Sequence, residues 1–479
     1  MKQDYNQEFD SFIAEEKAAT NLINSVGKLL YDKGIELVIF RRHLIDTNVS
    51  DILRLHQYSK NFVKKPINIF DSSKLAYILT QLNLGPSKID IGKLTYEWIE
   101  EKRAFKDEID FLKNKIGFLT KSKETKQNPK DVVLYGFGRI GRLCARELIK
   151  QAGKGEQLRL KGVILRKIDA QSLQKRCALL RQDSVHGSFS SSIHIDTEKL
   201  FIIINGQKIQ FFDEKTKYNL QDYGINNGLL IDNTGVYKDY NSLKQHLELK
   251  GISKVILTAP GAEIPNIVYG VNHHKINLSK DLIVSAASCT TNAIAPILEV
   301  VNNSNEIKKG HIETIHAYTN DQNLLDNMHA KSRRGRSAAI NMVITSTGAG
   351  KAVSKVIPSL NNKLTANAIR VPTPNGSLAI INLDLKDETS VDVINESIRK
   401  AALEGALVNQ IKYSMNTELV SNDIIGNGGA AIFDSPSTIV SKNGGNAILY
   451  IWYDNEFGYT KQVIRLAKYI SNVRRLHYY

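Results

Sequence analysis

The segment VVLYGFGRIGRLCARELIK, Val132 to Lys150, constrains the fold of this chain more than any other. An apolar, strand-like run meets Gly136, Gly138 and Gly141 and passes into residues whose apolar members, Ile140, Leu143 and Leu148, recur at helical spacing. Strand, glycine turn and helix in that order make a nucleotide cradle. The glycines let the backbone approach a pyrophosphate, while the helix start supplies unpaired N–H groups and the positive end of a dipole. Glycine turns are common, so the motif takes its weight from the strand and helix that flank it.

Similar apolar runs follow at GVILR (162–166), LLID (229–232), VILT (255–258) and LIVS (282–285), each separated from the next by helical patterns. That alternation predicts an α/β fold with a Rossmann-type parallel sheet. Beyond Cys289 the strands HIETIHAY, ANAIRV, SLAIINLDL and NAILYIWY are longer and mixed in polarity, as in a mainly antiparallel sheet covered on one face. They predict an α+β domain. A closing helix carries Val463, Ile464, Ala467 and Ile470.

Residues 1–120 read as an all-helical extension. Phe9, Phe12, Ile13, Leu22, Ile23, Val26, Leu29 and Leu30 recur near helical spacing up to Gly34, and Ser50, Asp71 with Ser72, and Ser87 offer further helix starts. The polar stretch Lys121 to Asp131, with Pro129, reads as a linker. The expected division is 1–120 extension, 121–130 linker, 131–288 dinucleotide domain, 289–453 catalytic domain, and 454–479 a helix returning to the dinucleotide domain.

Composition narrows the class. A chain of 479 residues, 42% hydrophobic and 24% charged, has the balance of a globular protein of about three domain-sized units. No apolar run approaches the ~18 residues that span a bilayer, and the first residues lack the apolar core of a secretory signal. Cys144, Cys177 and Cys289 are odd in number and far apart, which fits a reducing cytoplasm and predicts neither disulfides nor a metal site. The net charge of +15 invites a nucleic-acid reading. Lys and Arg are scattered, however, so a solvated basic surface favouring anionic metabolites is the plainer explanation.

In SAASCTTNAIAPILEV, Cys289 follows a strand-like run and opens a helix whose apolar face is Ile294, Ile297, Leu298 and Val301, with Ser288 as a cap. A cysteine there feels the helix dipole and unpaired amides, which favour the thiolate. It reads as a nucleophile or as a small core residue, and spacing does not choose between them. Cys144 and Cys177 lie on helical patterns and read as core. His316, in HIETIHAYTN, is a candidate base at a strand end, one of 11 histidines.

Seven ordered motifs then carry a resemblance: GFGRIGR, SAASCTTN, HAYTNDQ, RRGRSAA, STGAGKAVSKVIP, RVPTPN and WYDNEFGY. From Asp131 to Tyr479 the chain resembles phosphorylating glyceraldehyde-3-phosphate dehydrogenase, and residues 1–130 resemble the N-terminal extension of a longer bacterial form. The resemblance implies Cys289 as nucleophile and His316 as base, forming a thiohemiacetal and then a thioester that inorganic phosphate cleaves. It implies Thr319 and Arg370 at the substrate phosphate, and Ser288, Thr290, Arg334, Thr347 and Gly348 around the attacking phosphate. For the cofactor, NAD or NADP, it implies Gly136, Phe137, Gly138, Arg139, Ile140 and Gly141 at the pyrophosphate, Thr258 near the nicotinamide ribose and Asn455 at the carboxamide. A homotetramer is implied too, with residues 320 to 336 reaching a neighbouring subunit's cofactor.

Three departures qualify this reading. The family's Asn-Asp after the second strand is replaced by Arg166-Lys167, with Asp169 close behind; the basic pair would admit the NADP 2′-phosphate, and Asp169 would take the ribose if it folds back. Phe211 to Gly224 lacks the expected arginine near the adenine, and Asn233–Gly235 and Trp452–Phe457 carry single substitutions of little chemical weight. Two rival functions remain: erythrose-4-phosphate dehydrogenase, against which the second phosphate pocket argues, and a non-catalytic nucleic-acid or protein-binding factor, which would not need Cys289 and His316.

Overall fold

The computed structural model describes residues 5–120, 128–216 and 218–479. The chain folds into two compact units. Of the described residues, one takes those up to Pro129 together with Ala152–Gln157 and Val473–Tyr479; the other takes those of Lys130–Gln151 and Leu158–Asn472.

The N-terminal unit has the expected helices, Tyr5–Lys33, Val49–Tyr58, Ile69–Gln81, Ile91–Glu101 and Glu108–Ile116, but it is not all-helical. A four-stranded sheet orders Arg42–His43, Glu36–Ile39, Ser87–Asp90 and Leu476–Tyr478. The four residues Glu36–Ile39 are fully buried, and their parallel neighbour, with Leu37 beside Ile89, lies far along the chain. A local pattern cannot announce such a strand. Ser87, expected to open a helix, is therefore in the sheet, and Asp90 caps the next helix by accepting the Lys93 N–H at 3.1 Å. Asn48 and Asn68 cap the two preceding helices in place of Ser50 and Asp71-Ser72, each accepting at 2.8 Å from the N–H three residues on. Gly34, at φ 68°, follows the first helix as expected. Of the expected linker, residues 121–127 lie outside the described residues.

The last residues of the chain complete this unit. Leu476 aligns with Ser87 in a parallel pair, buried Arg475 lies 3.5 Å from Glu36, and Gln157 donates to Val473 O at 2.5 Å. A chain truncated to start at Asp131 keeps both segments and loses their partners. We expect it to melt lower and aggregate more than the full chain, and removal of Val473–Tyr479 as well to recover part of the solubility; equal melting of the truncated and full chains would refute this.

The second unit holds two eight-stranded sheets. The first runs Ile283–Ser285, Ile252–Leu257, Gly228–Asp232, Lys130–Tyr135, Leu158–Leu165, Gln207–Asp213, Phe201–Ile204, Ile193–Asp196. The five apolar runs of the sequence all appear in it as parallel strands. Gln207–Asp213 extends the parallel part beside Leu158–Leu165, and the last two strands are antiparallel. Helix Arg139–Lys150 leaves the first glycine turn, and the closing helix Phe457–Ile470 packs against it.

The second sheet is mainly antiparallel and is built around Ile307–Ala317, Leu364–Val371, Ser377–Leu385 and Asn446–Tyr453. Ile312, Ile381, Leu449 and Ile451 meet Ile294, Ile297 and Leu298 of helix Cys289–Ser304 in one continuous core. Burial of such side chains stabilises by roughly 1.5–3 kcal/mol each. That core fixes the start of the helix against the ends of the strands. Among the described residues no helix is long and apolar enough to cross a membrane.

Candidate active site

Strand Ile283–Ser285 leads into the helix through Ala286, Ala287 and Ser288. Ala287 has φ 56°, a left-handed conformation that costs a non-glycine residue roughly 1–2 kcal/mol. Neighbouring bonds hold it there. Its N–H donates to Ser285 Oγ at 2.9 Å, its carbonyl accepts Tyr459 OH at 2.9 Å, and Asn292 Nδ2 reaches back to Ala286 O at 2.8 Å. Ser288 caps the helix as expected, accepting the Thr291 N–H at 3.0 Å. Cys289 is thereby the first helical residue, half-buried.

His316 comes from the second sheet, and its Nε2 stands 3.6 Å from Cys289 Sγ. The sequence named both residues; only the fold brings them together. On the adjacent parallel strand Arg370 is in direct register with His316. Arg370 Nη1 lies 2.8 Å from Ala317 O and 2.7 Å from His316 Nδ1, while Nδ1 itself is 2.7 Å from Ala317 O. Burial first, and then the Arg370 charge, push the His316 imidazole down to about 3. Burial pushes the Cys289 thiol up and Arg370 pulls it back. The resting pair is thus a thiol facing a neutral imidazole.

Arg334 acts on the same centre. Its charge also lowers the His316 imidazole, and it lies near enough to Arg370 for the two cations to repel. Arg334 Nε donates to Thr345 Oγ1 at 3.0 Å and Nη1 pairs with Asp321, whereas Arg370 Nε is buried with no hydrogen-bond partner. Two converging guanidinium groups with an unspent donor suit a phosphate. Thr347 and Gly348 form the turn that opens helix Ala349–Val356, where Thr347 Oγ1 accepts the Ala349 N–H at 3.2 Å. Thr319 O accepts the Gln322 N–H at 2.9 Å, and no hydrogen bond ties these three residues to Cys289.

Tyr453 and Ser377 are site residues that motif reading passed over. Tyr453 OH lies 3.1 Å from Thr290 Oγ1, and its ring meets the His316 ring edge-on at 6.0 Å. Ser377 Oγ accepts from the Ala317 N–H at 3.1 Å and donates to Asn455 Oδ1 at 2.9 Å, linking the expected carboxamide ligand to the histidine strand. Their signal was the inward alternation of strands Ser377–Leu385 and Asn446–Tyr453.

At the dinucleotide cradle, Gly136 has φ 89°, and a Cβ on Gly141 would come within 2.4 Å of Gly136 O. A Cβ on Gly138 would meet nothing within 4 Å, and no side chain caps the helix that starts there. An open glycine before uncapped N–H groups fits a pyrophosphate. Phe137 is buried against Phe211, edge to face at 5.6 Å. The Arg139 side chain is spent elsewhere, held by Glu456 and, at 3.2 Å, by both oxygens of Asp183, so what it and Ile140 offer the cradle is backbone at the helix start. Thr258 Oγ1 donates to Asp232 O at 2.9 Å. Arg166 is exposed after strand Leu158–Leu165, and Asp169 is committed to capping the next helix through the Ser172 N–H at 2.8 Å.

The sheet and its cradle place the chain among the dinucleotide-binding α/β proteins. It belongs to the glyceraldehyde-3-phosphate dehydrogenase family: residues 130–240 match that family's NAD binding domain and residues 288–455 its C-terminal domain. A glyceraldehyde-3-phosphate dehydrogenase-like protein of Pseudomonas aeruginosa is 43% identical over 94% of this chain and 98% of its own length. Glyceraldehyde-3-phosphate dehydrogenases of Priestia megaterium and Bacillus subtilis are each 38% identical; they cover 70% and 71% of this chain, and 96% and 98% of their own lengths. The Pseudomonas alignment is thus long enough to take in much of the N-terminal unit as well.

Proposed function

We propose that the protein converts D-glyceraldehyde 3-phosphate and inorganic phosphate to 1,3-bisphosphoglycerate, reversibly, in glycolysis or gluconeogenesis in the cytoplasm. The observation that carries this reading is the Cys289–His316 contact with Arg370 and Arg334 beside it. His316 Nε2 takes the thiol proton as Cys289 Sγ adds to the aldehyde carbon. The N–H groups at the start of helix Cys289–Ser304 donate to the developing oxyanion. A bound nicotinamide dinucleotide supplies the hydride acceptor. His316 Nε2 returns the thiol proton to the oxyanion, which makes the thiohemiacetal hydroxyl, and takes it back as the hydride is lost, leaving a thioester on Cys289. Phosphate held near Arg334 and the Thr347-Gly348 turn attacks the thioester carbon, and Cys289 leaves as thiolate. Substrate phosphate on Arg370 would spend its free Nε–H and offset its charge, which raises the basicity of His316 when the base is needed.

Gly136, Gly138 and Gly141 would hold either NAD or NADP, with exposed Arg166 available to a 2′-phosphate. Leu324, Leu325, Met328, Ile340 and Met342 are each more than 70% exposed, which supports a homotetramer in which this face is covered by another copy. The test is reduced-dinucleotide formation from glyceraldehyde 3-phosphate and from erythrose 4-phosphate, each with and without inorganic phosphate, using NAD and NADP. Turnover of the triose that requires inorganic phosphate is expected. Phosphate-independent oxidation of the tetrose would favour the rival enzyme, and no turnover of either would end the catalytic reading.

A further inference from the structure

The second strand of a dinucleotide-binding sheet normally ends in a carboxylate that accepts hydrogen bonds from the adenosine ribose. Here strand Leu158–Leu165 ends in Arg166 and Lys167. Of the carboxylates around that end, Asp169 caps a helix through the Ser172 N–H. Asp213 folds the following turns, with Oδ2 accepting the Ile168 N–H at 3.2 Å and Oδ1 the Lys215 N–H at 2.9 Å. Glu214 differs from both. It follows strand Gln207–Asp213, where Asp213 is paired with Leu165, and its N–H donates to Leu165 O at 2.7 Å. Its side chain reaches across the strand end to Tyr135, whose OH donates to Glu214 Oε1 at 2.5 Å. Tyr135 is the last residue of the first strand, immediately before Gly136, and is buried. The Glu214 carboxylate is therefore held over the carboxyl end of the second strand from both neighbouring strands. Its Oε2 accepts nothing among the described residues, and Glu214 is exposed.

We propose that Glu214, positioned by Tyr135, accepts the hydrogen bond of the adenosine ribose hydroxyls and sets a preference for NAD over NADP. The carboxylate has moved from the end of the second strand to the residue after its neighbour. A 2′-phosphate at that place would meet Glu214 as a like charge and Arg166 as an opposite one, so the two side chains act against each other in cofactor choice. Burial, and then the bond to Glu214, keep the Tyr135 hydroxyl protonated and hence a donor. The inference rests on the dinucleotide-binding reading above.

The experiment is calorimetric titration of the full chain with NAD, NADP and NAD lacking the adenosine 2′-hydroxyl, with melting temperatures recorded for each variant. Wild type is expected to bind the deoxy analogue about tenfold or more weakly than NAD, the scale of a hydrogen bond to a charged group. Glu214→Ala should erase that difference. Glu214→Gln should tighten NADP about tenfold, Tyr135→Phe should shift the NADP-to-NAD ratio in the same direction by less, and Arg166→Ala should weaken NADP while sparing NAD. A wild type that binds NAD and its deoxy analogue equally, or Glu214 variants that leave the ratio unmoved, would overturn the assignment. Failure of the wild type to bind any of the three would overturn the dinucleotide reading itself, and the assignment with it.

Discussion

Cys289→Ser is expected to abolish turnover and to leave NAD affinity near that of the wild type. Serine preserves the helix start and the Ser288 cap, but its hydroxyl is far less ionised than a thiol and is a poor nucleophile beside a neutral imidazole. The glycines of the cradle lie on another strand and helix, from Gly136 to Gly141, and the substitution touches none of their contacts. Steady-state assay together with titration of NAD checks both halves. Dehydrogenase activity in the variant within tenfold of the wild type would exclude a covalent route through Cys289.

His316→Asn should slow the chemistry by about 100-fold to 10,000-fold, the range of lost general acid–base catalysis, with little change in NAD affinity. An unchanged rate would remove His316 from the reaction. The same variant has a signature in stability. The imidazole is driven down to about 3 in the folded protein, below its unfolded value of about 6.5, so the unfolded chain binds the extra proton throughout that interval. The contribution of His316 to stability is present above about pH 6.5 and is lost as the pH falls toward 3. The melting temperature of the wild type should therefore drop more steeply with acid than that of His316→Asn. Parallel acid limbs would mean that the imidazole is not buried in its neutral form.

Much of the catalytic unit was legible because its signals are local. The apolar runs at 132–135, 162–166, 229–232, 255–258 and 282–285 form parallel strands whose central residues, Val133, Val163, Leu230, Ile256 and Val284, are all buried, and such strands declare themselves as continuous hydrophobic segments. The Cys289 helix start was legible for the same reason: Ser288 and the periodic apolar residues behind Cys289 are neighbours in sequence. The extension was read less well. Its helices are amphipathic and visible, whereas Glu36–Ile39 and Ser87–Asp90 are four-residue strands that pair with each other from distant parts of the chain. For Arg139 the position at the helix start was legible, whereas the partners of its guanidinium, Asp183 and Glu456, come from distant segments and were not.

The sequence by itself determined which elements form and which chemistry is available: a glycine cradle between strand and helix, a cysteine at a helix start, and a histidine and an arginine on strands. Periodicity, caps and glycine turns act over a few residues, so each can be read without knowing the fold. The tertiary structure alone decided which of these groups meet. Parallel register puts Arg370 beside His316, core packing under helix Cys289–Ser304 brings Sγ to 3.6 Å from the imidazole, and the pairing of Asp213 with Leu165 carries Glu214 to the end of a strand it does not belong to. Those contacts join residues tens of positions apart, and burial and nearby charge then set their protonation. Neither quantity exists until the chain has folded.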